Sequence, residues 1–146
     1  MKRVATVVAV LIVVLYVVAI FLPIDPVERR PGTRLSGDLA VDQQTDWGFL
    51  EGRTRAWVET RTRYLVPHSI TVSAWADVGK LYVGCRECDT KVWPRQVARD
   101  DRVRVKIGDS IYERRAIRIT DPDERADVLG PAAGRPGFAV FRMDPR

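Results

Sequence analysis

One histidine, His68, and two cysteines, Cys85 and Cys88, are all that this 146-residue chain offers to metal and thiol chemistry. A structural zinc site wants four ligands, and three Cys/His side chains with no second CxxC fall short of that. Two cysteines also exclude a disulfide framework and leave room for one bridge. A thioredoxin-like role for the pair would need a βαβ context, which is missing. In an oxidising compartment the pair forms a local disulfide; otherwise it is two thiols on a loop. Nothing marks a nucleophile elbow or a group that would orient His68 as a base, so a hydrolase is not indicated. His68, following Pro67, reads as a packed or hydrogen-bonded strand residue. Lysine is scarce as well. Arginine dominates the 24 Lys+Arg that face 19 Asp+Glu, for a formal charge of +5. That modest balance suits phosphate ligands or anionic lipid. Dense basic clusters with interleaved aromatics are absent, so nucleic acid is not indicated.

Long apolar runs are confined to one place. Val4 to Leu22 holds a single non-aromatic polar residue, Thr6, and is long enough to cross a hydrocarbon core of roughly 30 Å. A cleaved signal peptide would have a shorter apolar core and a small-residue cleavage site. Here the run ends in Phe21-Leu22-Pro23, which favours a transmembrane helix over residues 1–22. Orientation is nearly tied, with Lys2 and Arg3 on one side and Arg29, Arg30 and Arg34 on the other. Residues 23–42 are rich in proline, glycine and charge, and read as a linker. One domain follows, over residues 43–146, with enough chain for a single core.

Within that domain, Thr45 to Leu50 reads as a short helix capped by Thr45 or Asp46, with Trp47 and Leu50 packing inward. Strands are expected over Thr54–Arg63, Leu65–Trp75, Leu81–Cys85, Val103–Ile107, Ile111–Ile119 and Phe138–Met143. Val103, Val105 and Ile107 alternate with Arg102, Arg104 and Lys106, the period of a half-buried strand. Gly108-Asp109-Ser110 supplies the reversal. The return strand alternates imperfectly, which predicts a bulge near Arg114-Arg115 or a strand leaving the wall. Arg102, Arg104, Lys106, Arg114, Arg115 and Arg118 form the exposed face of this hairpin, available to anionic headgroups or a partner chain. Asp121-Pro122 starts a helix to Leu129, with Glu124 placed as in a capping box. Six strands and a few short helices favour a small closed barrel over a parallel sheet.

Between the third strand and the hairpin lies Lys91-Val92-Trp93-Pro94-Arg95. Pro94 suits the first position of a helix. Free N–H groups flanked by Lys91 and Arg95 make a candidate anion site.

The order of these pieces resembles the pyridoxamine 5'-phosphate oxidase-like split barrel, a family that includes deazaflavin-dependent nitroreductase-like proteins. The pieces are Pro67 to Val72, Gly79 to Val83, Lys91 to Pro94, Asp101 to Val105, Tyr112 to Ile119 and the closing Phe141 to Arg146. The resemblance covers roughly Trp57 to the C-terminus. It implies a six-stranded split β-barrel, mainly β, that binds FMN or a deazaflavin as an oxidoreductase and forms homodimers with cofactor at the interface. Carried over, it implies that Lys91 and Arg95 hold the phosphate, that Trp93 shields the ring, and that Ser69, Thr71 and Ser73 line it. The Gly-Arg-x-Ser-Gly segment common among deazaflavin-dependent members is replaced by Thr60-Arg61-Thr62-Arg63. The anchor is an addition to the usual soluble form, so the overall expectation is a membrane-anchored, flavin- or deazaflavin-binding protein. The alternatives are a non-enzymatic anchored binding or interaction module and a periplasmic, disulfide-bearing interaction domain.

Overall fold

A computed structural model describes residues 2–41 and 44–146. Its first element is α1 (Lys2–Phe21), the one described helix long and apolar enough to cross a membrane. A two-residue strand, β1 (Asp38–Leu39), follows. The barrel strands are β2 (Thr54–Arg61), β3 (Pro67–Asp77), β4 (Lys80–Cys85), β5 (Arg102–Ile107), β6 (Ser110–Arg118) and β7 (Ala139–Pro145). Helix α2 (Val92–Val97) sits between β4 and β5, and α3 (Pro122–Leu129) between β6 and β7.

The strands run β6-β5-β2-β3-β4-β7 and close, because β7 also pairs with β6. Each of the six pairings is antiparallel. The fold is a closed six-stranded antiparallel barrel, as the strand pattern predicts. Alternation fills it: Ala56 and Val58, Ala74, Leu81 and Val83, Val103 and Val105, Ala116, Phe141 and Met143 are buried in one cluster. Each strand hides one face from water, and that burial is the main stabilising contribution.

Two tryptophans stop the ends. Trp47 bonds backbone-to-backbone with Gly79 at the β3–β4 turn. Trp93 of α2 packs on Phe141, ring centroids 4.7 Å apart, near the start of β3. The segment around Trp47 is a turn rather than the expected helix. The Asp46 carboxylate accepts from Gly48 N–H at 2.8 Å, an Asx-type turn that competes with helix. Trp47 is buried nonetheless.

The hairpin also departs from expectation. Pairing of β6 with β5 and with β7 is unbroken through Arg114, so there is neither bulge nor departure from the wall. The alternation looked imperfect because Arg114 points inward. Its guanidinium lies 5.4 Å from the Trp47 ring and 5.5 Å from Tyr112, and donates to the Gln44 carbonyl at 2.5 Å. On the other face, Ile111 is fully buried. The basic stripe is therefore not one solvated face. Lys106 is buried and paired with Asp25, Arg104 is paired with Glu59, and Arg102, Arg115 and Arg118 pair with Asp100, Asp101 and Asp89.

Two layers cover the barrel's outer surface. Residues 23–41 form a strap across β2, β5 and β6. Gly32 bonds to Ser69 through both backbone groups, and β1 pairs in parallel with Ser110 and Ile111. A Cβ at Gly32 would collide with the Ile24 carbonyl oxygen and crowd Ser69, so only glycine permits this approach. The second layer is apolar: Leu129 of α3 and Ile119 pack with Trp75, Tyr82 and Val140. Asp121 caps α3 as expected, accepting from Glu124 N–H at 2.8 Å, with Pro122 in the first turn.

Candidate functional site

Strand β3 crosses from one cover to the other. Its outward residues are Ser69, Thr71, Ser73 and Trp75, two apart as the pleat requires. Ser69 lies under the strap and Trp75 under the apolar layer. Thr71 and Ser73 fall in the seam where neither cover reaches, and a groove opens there. One part, about 640 Å³, is lined by Arg29, Arg30, His68, Arg86, Lys91 and Trp93, among others. The adjoining part, about 420 Å³, adds Arg53, Ser73, Cys85 and Phe138 and shares Thr71, Arg86, Lys91 and Trp93. Both volumes lie in the range of small-molecule sites.

Local chemistry shapes each wall. The strap reverses at Val27–Arg30, with Glu28 in the left-handed region at φ 52°, and this turn presents Arg29 and Arg30 to the groove. The opposite wall is a second tight turn. Cys85 and Cys88 form a disulfide, and Cys88 N–H bonds to the Gly137 carbonyl at 2.9 Å. Between them Glu87 is left-handed at φ 49°, which turns Arg86 toward the groove. Lys91 then caps α2, its N–H bonded to the Cys88 carbonyl. None of Arg29, Arg30, Arg86 and Lys91 is in an ion pair among the described residues, although Glu28 and Glu87 also line the larger part.

The floor holds unsatisfied polarity. Thr71 Oγ1 and His68 Nδ1 are shielded and have no hydrogen-bond partner among the described residues; the same holds for Ser69 Oγ, which lies under the strap and outside the groove. Buried polar atoms are usually paired, so a hydroxyl left open at the base of a groove is a ready donor or acceptor for a ligand. His68 sits at the groove's edge near Gln96. Burial lowers its pKa below 6.5, against a smaller opposing hydrogen bond to Gln96, so the imidazole favours the neutral form. Thr60 bridges the same cluster, donating to Gln96 Oε1 at 2.6 Å.

The six residues expected in a site are thus partly assembled. Lys91, Trp93 and Thr71 meet in both parts of the groove, and Ser73 joins the smaller. Ser69 is fully buried beneath Gly32 and lines neither. Arg95 also stands apart, its Nε donating back to the Lys91 carbonyl at 3.3 Å. Helix α2 begins two residues before Pro94, which still lies in the first turn, where N–H groups have no intrahelical acceptor. Sequence reading missed Arg29, Arg30 and Arg86 as groove residues. The first two lay in an assumed linker. The third sits inside the CxxC, where the cysteines drew the attention.

No protein-family model matches the chain, and no curated protein matches it. Solved structures do. General stress protein 26 from Bacillus anthracis str. Sterne superposes with a TM-score of 0.55 at 15% identity, covering 70% of this chain and 88% of that one. A NimC/NimA family protein from Clostridium acetobutylicum gives 0.48 at 14%, covering 61% and 72%. A protein of unknown function from Agrobacterium tumefaciens str. C58 gives 0.48 at 17%; it covers 61% of this chain, which spans about half (47%) of that protein's length. At such identities the likeness to general stress protein 26 is one of fold: both are split barrels.

Proposed function

We propose that this chain is a membrane-anchored split barrel that binds a flavin or deazaflavin in the groove over β3 and acts as an oxidoreductase. The observation that carries the reading is the convergence of Arg29, Arg30, Arg86 and Lys91, without ion-pair partners among the described residues, on the open hydroxyl of Thr71 and the edge of Trp93. Cations and a hydroxyl suit a phosphate ester. An indole edge beside Ile70 suits a flat, amphipathic ring. In this reading Lys91, Arg86, Arg29 and Arg30 hold the anionic group, Trp93 shields the ring, and Thr71 and Ser73 meet its polar edge. Arg95 steadies Lys91 through the backbone. When bound, such a cofactor supplies the hydride or electron transfer, and the protein supplies position and electrostatics. Helix α1 is the anchor, and the Cys85–Cys88 disulfide supports a domain on the oxidising side of the membrane.

The test is an absorption spectrum of the full-length protein in detergent, followed by titration with FMN and with a deazaflavin. Binding of either is expected, and Lys91→Ala or Arg86→Ala should weaken it about ten-fold or more, the worth of a charged hydrogen bond. A colourless protein that takes up neither sinks the reading and leaves the barrel as a non-enzymatic binding or interaction module.

A further inference from the structure

The turn between β2 and β3, Thr62-Arg63-Tyr64-Leu65-Val66, carries its apolar side chains on the outside. Tyr64 is 73% exposed and Leu65 63%. This is not slack chain. Thr62 N–H bonds to the Val66 carbonyl at 2.9 Å, Leu65 N–H to the Thr62 carbonyl at 3.0 Å, and Val66 N–H to Thr62 Oγ1 at 3.1 Å. Leu65 is held in the left-handed region at φ 63°. A branched apolar residue there is strained, and such strain persists where it serves a function. Here it fixes a leucine pointing into solvent.

The tip lies beside α1. The Tyr16 hydroxyl donates to the Tyr64 carbonyl at 2.6 Å, and Ile20 shares a cleft with Arg61, Leu65 and Pro67. Tyr16 stands five residues before Phe21, which at 1.5 Å per residue places it about 7–8 Å below the end of the helix. A tip bonded at that level lies within the membrane's outer layer when α1 spans it. The flanks fit the same placement. Arg61 and Arg63 lead into the tip, and Arg34 lies 5.8 Å over the Phe21 ring. Exposed Phe21, Leu22, Ile24 and Val27 continue the apolar surface. Tyrosine among apolar residues with arginines alongside is the composition of an interfacial segment.

We propose that the β2–β3 turn is a second membrane contact, with Tyr64 and Leu65 seated in the headgroup layer and Arg61 and Arg63 meeting anionic lipid. This rests on α1 as a transmembrane anchor and is independent of the cofactor reading. The contact fixes the barrel's tilt: β3 starts at the membrane, and the groove at Thr71 and Ser73 lies farther along the same strand.

The test uses the full chain in vesicles of phosphatidylcholine with phosphatidylglycerol, carrying a fluorescent label on one introduced cysteine. Cys85 and Cys88 are bridged and buried, so the label is unique. Leu65→Cys reports the tip. Val78→Cys, 90% exposed at the far end of the barrel, is the control, and Leu11→Cys reports α1. The label at 65 should be quenched several-fold more than that at 78 by lipid bearing a nitroxide near the headgroup, and less by an aqueous nitroxide. Adding Arg63→Gln should lower the ratio of inserted to free tips about five-fold, the worth of one arginine at an anionic surface. Equal quenching at 65 and 78, with Leu11→Cys quenched from the bilayer centre, overturns the proposal alone. A label at 65 shielded from the aqueous nitroxide yet not quenched by the lipid-borne nitroxide overturns it in favour of a protein contact. An unquenched label at 11 removes the anchor reading and this proposal together.

Discussion

The two covers of this barrel are held on by different balances of ionic and apolar contact. Under the strap, the outer face carries Glu59, Arg104 and Lys106. Lys106 Nζ meets Asp25 at 2.6 Å, Arg104 meets Glu59 at 3.1 Å, and Glu59 also accepts from Leu35 N–H at 2.8 Å. Under α3, the outer face carries Trp75, Tyr82 and Val140, and this apolar layer is joined by one ion pair, Arg142 of β7 with Glu124 of α3. An ionic cover is directional and specific but nets little, because each charge gives up its water. An apolar cover stabilises in proportion to area. The proposed ligand groove runs along the seam between them, with cations and an aromatic ring in both of its parts: Arg29, Arg30, Arg86, Lys91 and Trp93 in one, Arg53, Arg86, Lys91, Trp93 and Phe138 in the other.

This contrast can be broken from either side. Trp75→Ala removes the centre of the apolar cover and should cost about 3–5 kcal/mol of stability, as large-to-small aromatic truncations do; a denaturant midpoint measures it. A loss below about 1 kcal/mol would mean the layer is not part of the core. Lys106→Met should cost less, about 1–2 kcal/mol, since Asp25 is partly exposed and keeps its bonds from Ser36. Its clearer signature is local: trypsin should cut faster at Arg29 and Arg34 than in the parent, with the barrel intact. Unchanged cleavage would show that the ion pair does not hold the strap.

Acid separates the two sides more gently. His68 has its pKa lowered by burial, so the unfolded chain takes up its proton first. Its contribution is present above the ordinary value of 6.5 and lost as pH falls from there through the folded value. His68→Gln should flatten stability across that window. For Asp25, burial raises the pKa but is outweighed by the bonds from Lys106 and Ser36, which hold the carboxyl below 3.8. The strap's contribution is therefore present above 3.8 and lost below it. A parent protein with no pH dependence between 6.5 and 4 would contradict the buried placement of His68.

Most of the barrel was legible because period-2 patterning is a local signal. Val103 to Ile107, Leu81 to Val83 and the Asp121 cap could be read where they stand. What failed did so for non-local reasons. Arg114 sits inside the barrel against Trp47 and Tyr112, a pairing across 67 positions that turns a charge into a core residue. Asp25 finds Lys106 across 81 positions, so the strap read as solvated chain. Thr45 to Leu50 has helix-cap residues, but the Asp46 side chain satisfies a turn instead. Of the candidate groove's lining, Lys91, Trp93, Thr71 and Ser73 were named through the family resemblance, which rests on the order of elements. Arg29, Arg30 and Arg86 depend on two turns meeting across a groove, which no local pattern announces.

Strand β1 has a consequence beyond covering. In β6, positions Arg114 to Arg118 pair with β7, but β7 does not reach Ser110 and Ile111. Those two positions are where β1 pairs instead. An unpaired strand edge is a template for other chains. The two residues Asp38 and Leu39 thus act as a seal, and a molecule whose strap has come loose exposes an adhesive edge as well as a basic surface. Keeping the strap closed is, for this barrel, a matter of staying unaggregated.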